Sequence, residues 1–227
     1  MRRRWMRIGL GVLAASLGSV TPGRADDLKP APIHRDNAPP PHSRVVLDLV
    51  LRGGEKVPAS ADQKPLLIAL IDGKKDHGID EHDYPLFQER WSALLTQAKG
   101  VTVSTAHDWP TPEQFEKADV IVMFHFNPAW DAATRAGDLD RFLARGGGLV
   151  LLHSAVMGQK APDALAARIG LAWRPESKYR HGPVDLTFTQ SDNPITAGFY
   201  QLHLEDESYW NLAGDPKGVN VLATATE

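Results

Sequence analysis

Four short runs rich in apolar and β-branched residues, separated by segments of helical periodicity, restrict this chain to an α/β sheet with mostly parallel strands. The runs are Leu66 to Ile71, Val101 to Ser104, Asp119 to Phe124 and Leu149 to Leu152. A continuous apolar run of this length is expected of a strand covered on both faces. Behind Pro85, Phe87, Trp91, Leu94, Leu95 and Ala98 recur at one-face spacing, which predicts a helix closed by Gly100. Thr111-Pro112-Glu113-Gln114 has the form of a capping box with proline at the first helical position. Leu139, Phe142 and Leu143 predict a helix running into Gly146, and Ala161 to Ile169 predicts another stopped at Gly170. The implied fold is a doubly wound, mostly parallel sheet with helices on both faces. Beyond it the pattern changes: Val184 to Thr189 alternates like a half-exposed strand, Asp192 to Thr196 reads as a turn, Leu202 to Tyr209 is mixed, and Val219 to Ala225 reads as a strand.

The N-terminus follows different rules. Arg2, Arg3, Arg4 and Arg7 precede an apolar stretch from Ile8 to Val20, and Gly23-Arg24-Ala25 places small residues where a signal peptidase reads. Residues 1–25 are expected to be an export signal cleaved near Ala25, of the Sec or the twin-arginine type. This predicts a periplasmic or secreted protein with no membrane span once the signal is gone. Residues 26–44 hold five prolines and almost nothing apolar, as a linker does. Val45 to Leu51 is expected to form an edge strand at the start of a single domain over 45–227. Losing residues 1–25 removes five arginines and no acid, leaving 20 basic against 28 acidic side chains. A surface of that sign argues against nucleic acid as a partner. With no cysteine in the chain, disulfides, thiolate metal sites and a cysteine nucleophile are excluded.

The chemistry is expected at strand ends. In an open parallel sheet, side chains just past the carboxyl ends of strands face the ligand crevice. Gly146-Gly147-Gly148 leads into the fourth run, which ends on His153-Ser154. These glycines precede a strand, whereas a dinucleotide fingerprint follows one, so no nucleotide loop is implied. Asp72 and His125 end the first and third runs, and the loop after the first adds Asp76-His77 and Glu81-His82-Asp83. His77, His125 and His153 are the candidate metal ligands; imidazoles with carboxylates suit Zn²⁺, Mn²⁺, Ni²⁺ or Fe²⁺. The same groups serve without a metal as general acids and bases. Asp72 as a loop cap, Asp83 as a helix N-cap, and His77 and His82 as solvated loop residues are the structural alternatives.

A second constellation is Glu205-Asp206-Glu207-Ser208-Tyr209-Trp210, acids followed by aromatics. Carboxylates that meet hydroxyls, beside rings that stack on a sugar's C–H face, suit carbohydrate; an exposed acidic turn over packed rings is the alternative. His181 and His203 flank this region, and His107-Asp108-Trp109 reads as a capping loop. Ser154 lacks the G-x-S-x-G setting of a nucleophile elbow.

Residues from about 64 to 227 resemble the ThuA-like family, named for a bacterial trehalose-utilisation protein. The resemblance is carried by His77-Gly78 with Glu81-His82-Asp83-Tyr84-Pro85, by Gly147 through Ala155, by Asn193-Pro194-Ile195-Thr196-Ala197-Gly198, and by Asp206 through Trp210. It implies a flavodoxin-like sheet related to class I glutamine amidotransferases, which carry a cysteine at the elbow matching His153. A chain without cysteine is then not a glutaminase.

Family context implies carbohydrate metabolism, beside a sugar oxidoreductase that makes keto-sugars. The expected protein is an enzyme acting on a small-molecule sugar or keto-glycoside, as an isomerase, lyase or hydrolase. A non-catalytic carbohydrate-binding protein on the same fold is the alternative. His153, His125, Asp206 and Glu207 are the expected catalytic groups, and Asp72, His82, Tyr209 and Trp210 the expected substrate contacts. Two departures stand out. Asn193 occupies a position where the family often has histidine, and the family pattern continues past Val219–Ala225 into a further strand, so a C-terminally truncated domain is expected.

Overall fold

The computed structural model describes residue 45 and residues 64–226, apart from 79, 80, 127–129, 159, 190–192, 194 and 197–199. The export signal, the linker and all but the first residue of the strand expected over Val45–Leu51 lie outside the described residues. No helix among the described residues is long and apolar enough to cross a membrane.

The elements in chain order are β1 (Leu66–Asp72), α1 (Tyr84–Leu95), β2 (Val101–His107), α2 (Pro112–Lys117), β3 (Val120–Met123), α3 (Ala132–Ala144) and β4 (Gly148–Leu151). A 3₁₀ turn (His153–Val156) and α4 (Pro162–Ile169) follow, then β5 (Lys178–Phe188), β6 (Gln201–Trp210) and β7 (Ala223–Thr224). The first four strands form one parallel sheet in the order β2-β1-β3-β4. This is the doubly wound arrangement the alternating pattern predicts, and it makes the ends of β1, β3 and β4 neighbours. The last three form an antiparallel sheet in the order β6-β5-β7. Bridges between Met157 and Trp173 and between Ala172 and Ala213 tie the chain leaving β4 to the segments around the second sheet.

Local chemistry sets the boundaries. The Asp83 carboxylate accepts from the Leu86 N–H at 3.1 Å and caps α1. Thr111 and Gln114 satisfy each other's backbone N–H groups at α2, the expected capping box. After α3 the chain reverses through Gly146 at φ 88°, a left-handed conformation that favours glycine. Gly147 is required for space, since a Cβ there would sit 2.4 Å from Cζ of Phe142.

The main core lies between one face of the parallel sheet and α2 and α3. Ala69, Ile71, Ile121 and Met123 pack there with Phe142, Phe115 and Leu143. On the opposite face α1 covers β1 and β2, and Gln88 donates to the carbonyls of Leu70 and Ala106. Helices thus lie on both faces, with two departures from the expected burial. Val150 in β4 is 43% exposed and Trp91 in α1 is 45% exposed. Each sits on the α1 side of the fold, where a single helix covers only part of the sheet. The strand expected over Val219–Ala225 is shorter than its pattern suggests, because only Ala223 and Thr224 pair with β5.

Candidate functional site

His153 is the first residue of the turn that leaves β4, and it adopts φ 51°. His82 precedes α1 and adopts φ 46°. An L-residue other than glycine at positive φ is strained by about 1–3 kcal/mol, and such residues concentrate where geometry serves function. Their imidazoles meet edge to face, with the two Nε2 atoms 2.8 Å apart.

The other side of His82 is held by the loop after β1. Its Nδ1 lies 3.2 Å from Oδ1 of Asp76 and 2.8 Å from the Tyr84 hydroxyl. A carboxylate only accepts, so Nδ1 carries a proton, and Nε2 is turned towards His153. Asp76 also binds Nδ1 of His77 at 2.5 Å and accepts from Tyr84 at 3.3 Å. Burial opposes a charge on Asp76, but hydrogen bonds from His82 and His77 outweigh it and hold the carboxyl below its usual range. The Tyr84 hydroxyl is within 3.0 Å of Ser154 Oγ, which links α1 to the turn bearing His153. Burial pushes the Tyr84 phenol well above its ordinary value, so it stays protonated.

The second sheet completes the cluster. The hydroxyl of Tyr209 donates to Glu207 Oε2 at 2.9 Å and lies 3.1 Å from His153 Nε2, while Glu207 Oε2 lies 3.3 Å from the same nitrogen. Tyr209 stacks on the His153 ring, and Trp173 packs edge-on against Tyr209. The other Glu207 oxygen meets His181 Nε2 at 2.9 Å. Burial, then the neighbouring His82, lowers the His153 pKa and favours its neutral ring. Burial and the Glu207 carboxylate together raise that of Tyr209, which keeps its proton.

His77, His82, His153, His181, Glu207 and Tyr209 line a cavity of about 870 Å³, within the usual range for a small-molecule site. Acids and histidines occupy one part of its wall; Phe124, Phe126, Met157, Trp173 and Tyr179 form much of the rest. Among the described residues, two sets of side chains bring metal-ligand atoms within 4.8 Å of one another: Asp76 with His77 and His82, and His82 with His153 and Glu207.

Of the expected site residues, His153, His82, His77, Asp206, Glu207 and Tyr209 all line this cavity. Three do not. His125 points away and is buried against Gly73, so the expected ligand trio of His77, His125 and His153 is not assembled; His82 stands beside His153 instead. Asp72 is buried and pairs with His107 at 2.9 Å. Trp210 follows Tyr209 on β6, so strand alternation turns it to the other face, and it lines a second hollow with Leu186 and Leu204 that Asp206, Glu207 and Tyr209 also border. His203 is also elsewhere, at 2.7 Å from Asp185. Sequence reasoning missed the structural weight of Tyr84 and the wall formed by Trp173 and Tyr179. Tyr84 was visible only as part of the His82-Asp83-Tyr84-Pro85 segment.

No curated protein matches the chain. Among solved structures, a ThuA-like protein from Bacteroides uniformis is similar with a TM-score of 0.54 at 19% identity, over 75% of this chain and 72% of that one. A GMP synthase component from Thermoplasma acidophilum is similar at 0.42 and 13% identity, over 72% and 74% of the two chains. A glutamine amidotransferase from Thermotoga maritima is similar at 0.38 and 7% identity, over 65% and 63%. The family model described as ThuA, trehalose utilisation, matches residues 73–227, which hold every group of the cluster, and the chain belongs to that family.

Proposed function

We propose that this protein is an exported enzyme of carbohydrate metabolism that acts on a sugar or keto-sugar derivative by acid–base or metal-assisted chemistry. The observation that carries this reading is the meeting of a neutral imidazole, a carboxylate and a phenol at His153 Nε2, inside a cavity walled by aromatic rings. A neutral imidazole accepts a proton, and a phenol held below its pKa donates one. Trp173, Tyr179 and Tyr209 offer flat faces for a sugar ring, and Glu205 and Asp206 at the rim offer acceptors for its hydroxyls. Covalent catalysis by cysteine is excluded because the chain has none.

Ser154, beside His153, is no substitute. It is fully buried, and its hydroxyl is engaged with Tyr84.

The test is turnover of a panel of glycosides and their keto derivatives by the purified chain. His153→Ala and Glu207→Gln should each lower kcat/KM by about 100-fold or more, the range for loss of a positioned proton-transfer group. Unchanged turnover in both variants would end the catalytic reading. Sugar binding without turnover, surviving His153→Ala and lost in Tyr209→Ala and Trp173→Ala, would establish the non-catalytic binding protein instead.

A further inference from the structure

We infer that His82, His153 and Glu207 form a binding site for one divalent first-row transition metal ion, held on one face of its coordination sphere. The site rests on side-chain geometry alone; only its use in catalysis rests on the function proposed above.

The donor spacing is the first observation. With metal–nitrogen bonds of about 2.1 Å, two donors on adjacent octahedral positions are about 3.0 Å apart, and two tetrahedral donors about 3.4 Å apart. His153 Nε2 lies 2.8 Å from His82 Nε2 and 3.3 Å from Glu207 Oε2. All three ligand atoms fall within 4.8 Å of one another, so a single ion reaches each with small side-chain adjustments. Two imidazoles and one carboxylate on a face leave three positions open to water or substrate oxygens.

The outer contacts are the second, independent observation. Metal-binding histidines pass their remaining N–H to a carboxylate, and ligating carboxylates are themselves hydrogen-bonded. His82 Nδ1 faces Asp76 Oδ1, Glu207 Oε1 faces His181 Nε2, and Tyr209 donates to Glu207 Oε2. With Nδ1 given to Asp76, Nε2 is the ring atom left for a metal. Both residues hold left-handed backbone, and their Nε2 atoms already meet at 2.8 Å.

The second potential cluster, Asp76 with His77 and His82, competes for the same histidine. His77 is largely exposed, and Asp76 is already shared among His77, His82 and Tyr84. It fits an orienting role for Asp76 better than a ligand role. The two nitrogen donors favour ions such as Mn²⁺, Fe²⁺, Co²⁺, Ni²⁺ or Zn²⁺ over Mg²⁺ and Ca²⁺, which take oxygen ligands.

The test is direct titration of chelator-treated full-length protein with Co²⁺ and Zn²⁺, read by calorimetry and by the visible absorption of bound Co²⁺. One ion per chain should bind, with Co²⁺ giving a weak six-coordinate spectrum. His82→Ala, His153→Ala and Glu207→Gln should each abolish stoichiometric binding. Asp76→Asn should weaken it by about 10–100-fold, and His125→Ala, away from the cavity, should leave it unchanged. Circular dichroism of each variant identifies any that fail to fold. Absence of stoichiometric binding to the wild-type chain overturns the site, as does binding that survives His153→Ala in a folded variant. Turnover that persists in chelator would remove the metal from the chemistry and leave the acid–base reading standing.

Discussion

The Nε2 atoms of His82 and His153 lie 2.8 Å apart although 71 positions separate the residues in the chain. Both hold left-handed backbone, at 46° and 51°. Strain at one would be incidental, but strain at both partners of one contact marks a geometry that the surrounding fold maintains.

That strain is measurable. His153→Gly should be more stable than His153→Ala by about 1 kcal/mol, because only glycine relaxes at this φ. The two denaturation midpoints in urea give the comparison. Equal midpoints would mean that the backbone at His153 is not strained.

Tyr84 is the hub behind the cluster. Tyr84→Phe removes one hydroxyl from Asp76, His82 and Ser154 together. Leaving buried polar partners unsatisfied costs about 1–3 kcal/mol, so the urea midpoint should fall accordingly. On the catalytic reading proposed above, turnover should fall too, since Nδ1 of His82 loses its nearest partner.

His125 predicts a pH effect away from the cluster. Burial lowers its pKa in the folded chain, against the partial opposition of the Phe126 carbonyl and the Asp108 and Asp72 carboxylates, with His107 reinforcing the decrease. Unfolded histidine titrates near 6.5. Between the folded and unfolded values the unfolded chain holds one more proton, so stability falls as pH drops below about 6.5. The decline attributable to His125 should approach about 1.4 kcal/mol per pH unit at most. In His125→Gln that share of the slope should vanish, as read from urea midpoints between neutral and mildly acidic pH.

Gly147→Ala tests packing rather than backbone freedom. The added Cβ meets the Phe142 ring at 2.4 Å, inside the main core. Overpacking of this kind costs about 1–3 kcal/mol, visible as a lower melting temperature. Gly148→Ala meets only ordinary contacts, the nearest at 3.4 Å, and should cost less.

Much of the parallel sheet was legible because apolar runs and one-face helical spacing are properties of neighbouring residues. The order β2-β1-β3-β4 is set by pairing between strands that are not consecutive in the chain, which local patterns do not announce. β6 was harder to read: Glu205, Asp206 and Glu207 interrupt any apolar alternation, and the strand exists through its pairing with β5 over ten residue pairs. The placement of His125 failed for a related reason. Ending a strand next to His153 says which edge a residue occupies, but not whether its side chain turns into the cavity or back towards Gly73. His82 could be flagged as a loop histidine, whereas its pairing with His153 depends on the left-handed turn before α1. Trp173 follows α4 in a segment without periodicity, so nothing local announced it as a wall.

The cluster draws its members from two separately hydrogen-bonded sheets: His82 and His153 from the segments that follow β1 and β4 of the parallel one, Glu207 and Tyr209 from the antiparallel one. Neither sheet holds the cluster alone. Any small molecule or ion gripped by both therefore acts as a rivet across the seam, and it favours only chains in which the two halves have docked. Its binding energy adds directly to the cohesion of the seam. Saturation of the site then doubles as a check on assembly, since a chain with the seam open has nothing to saturate.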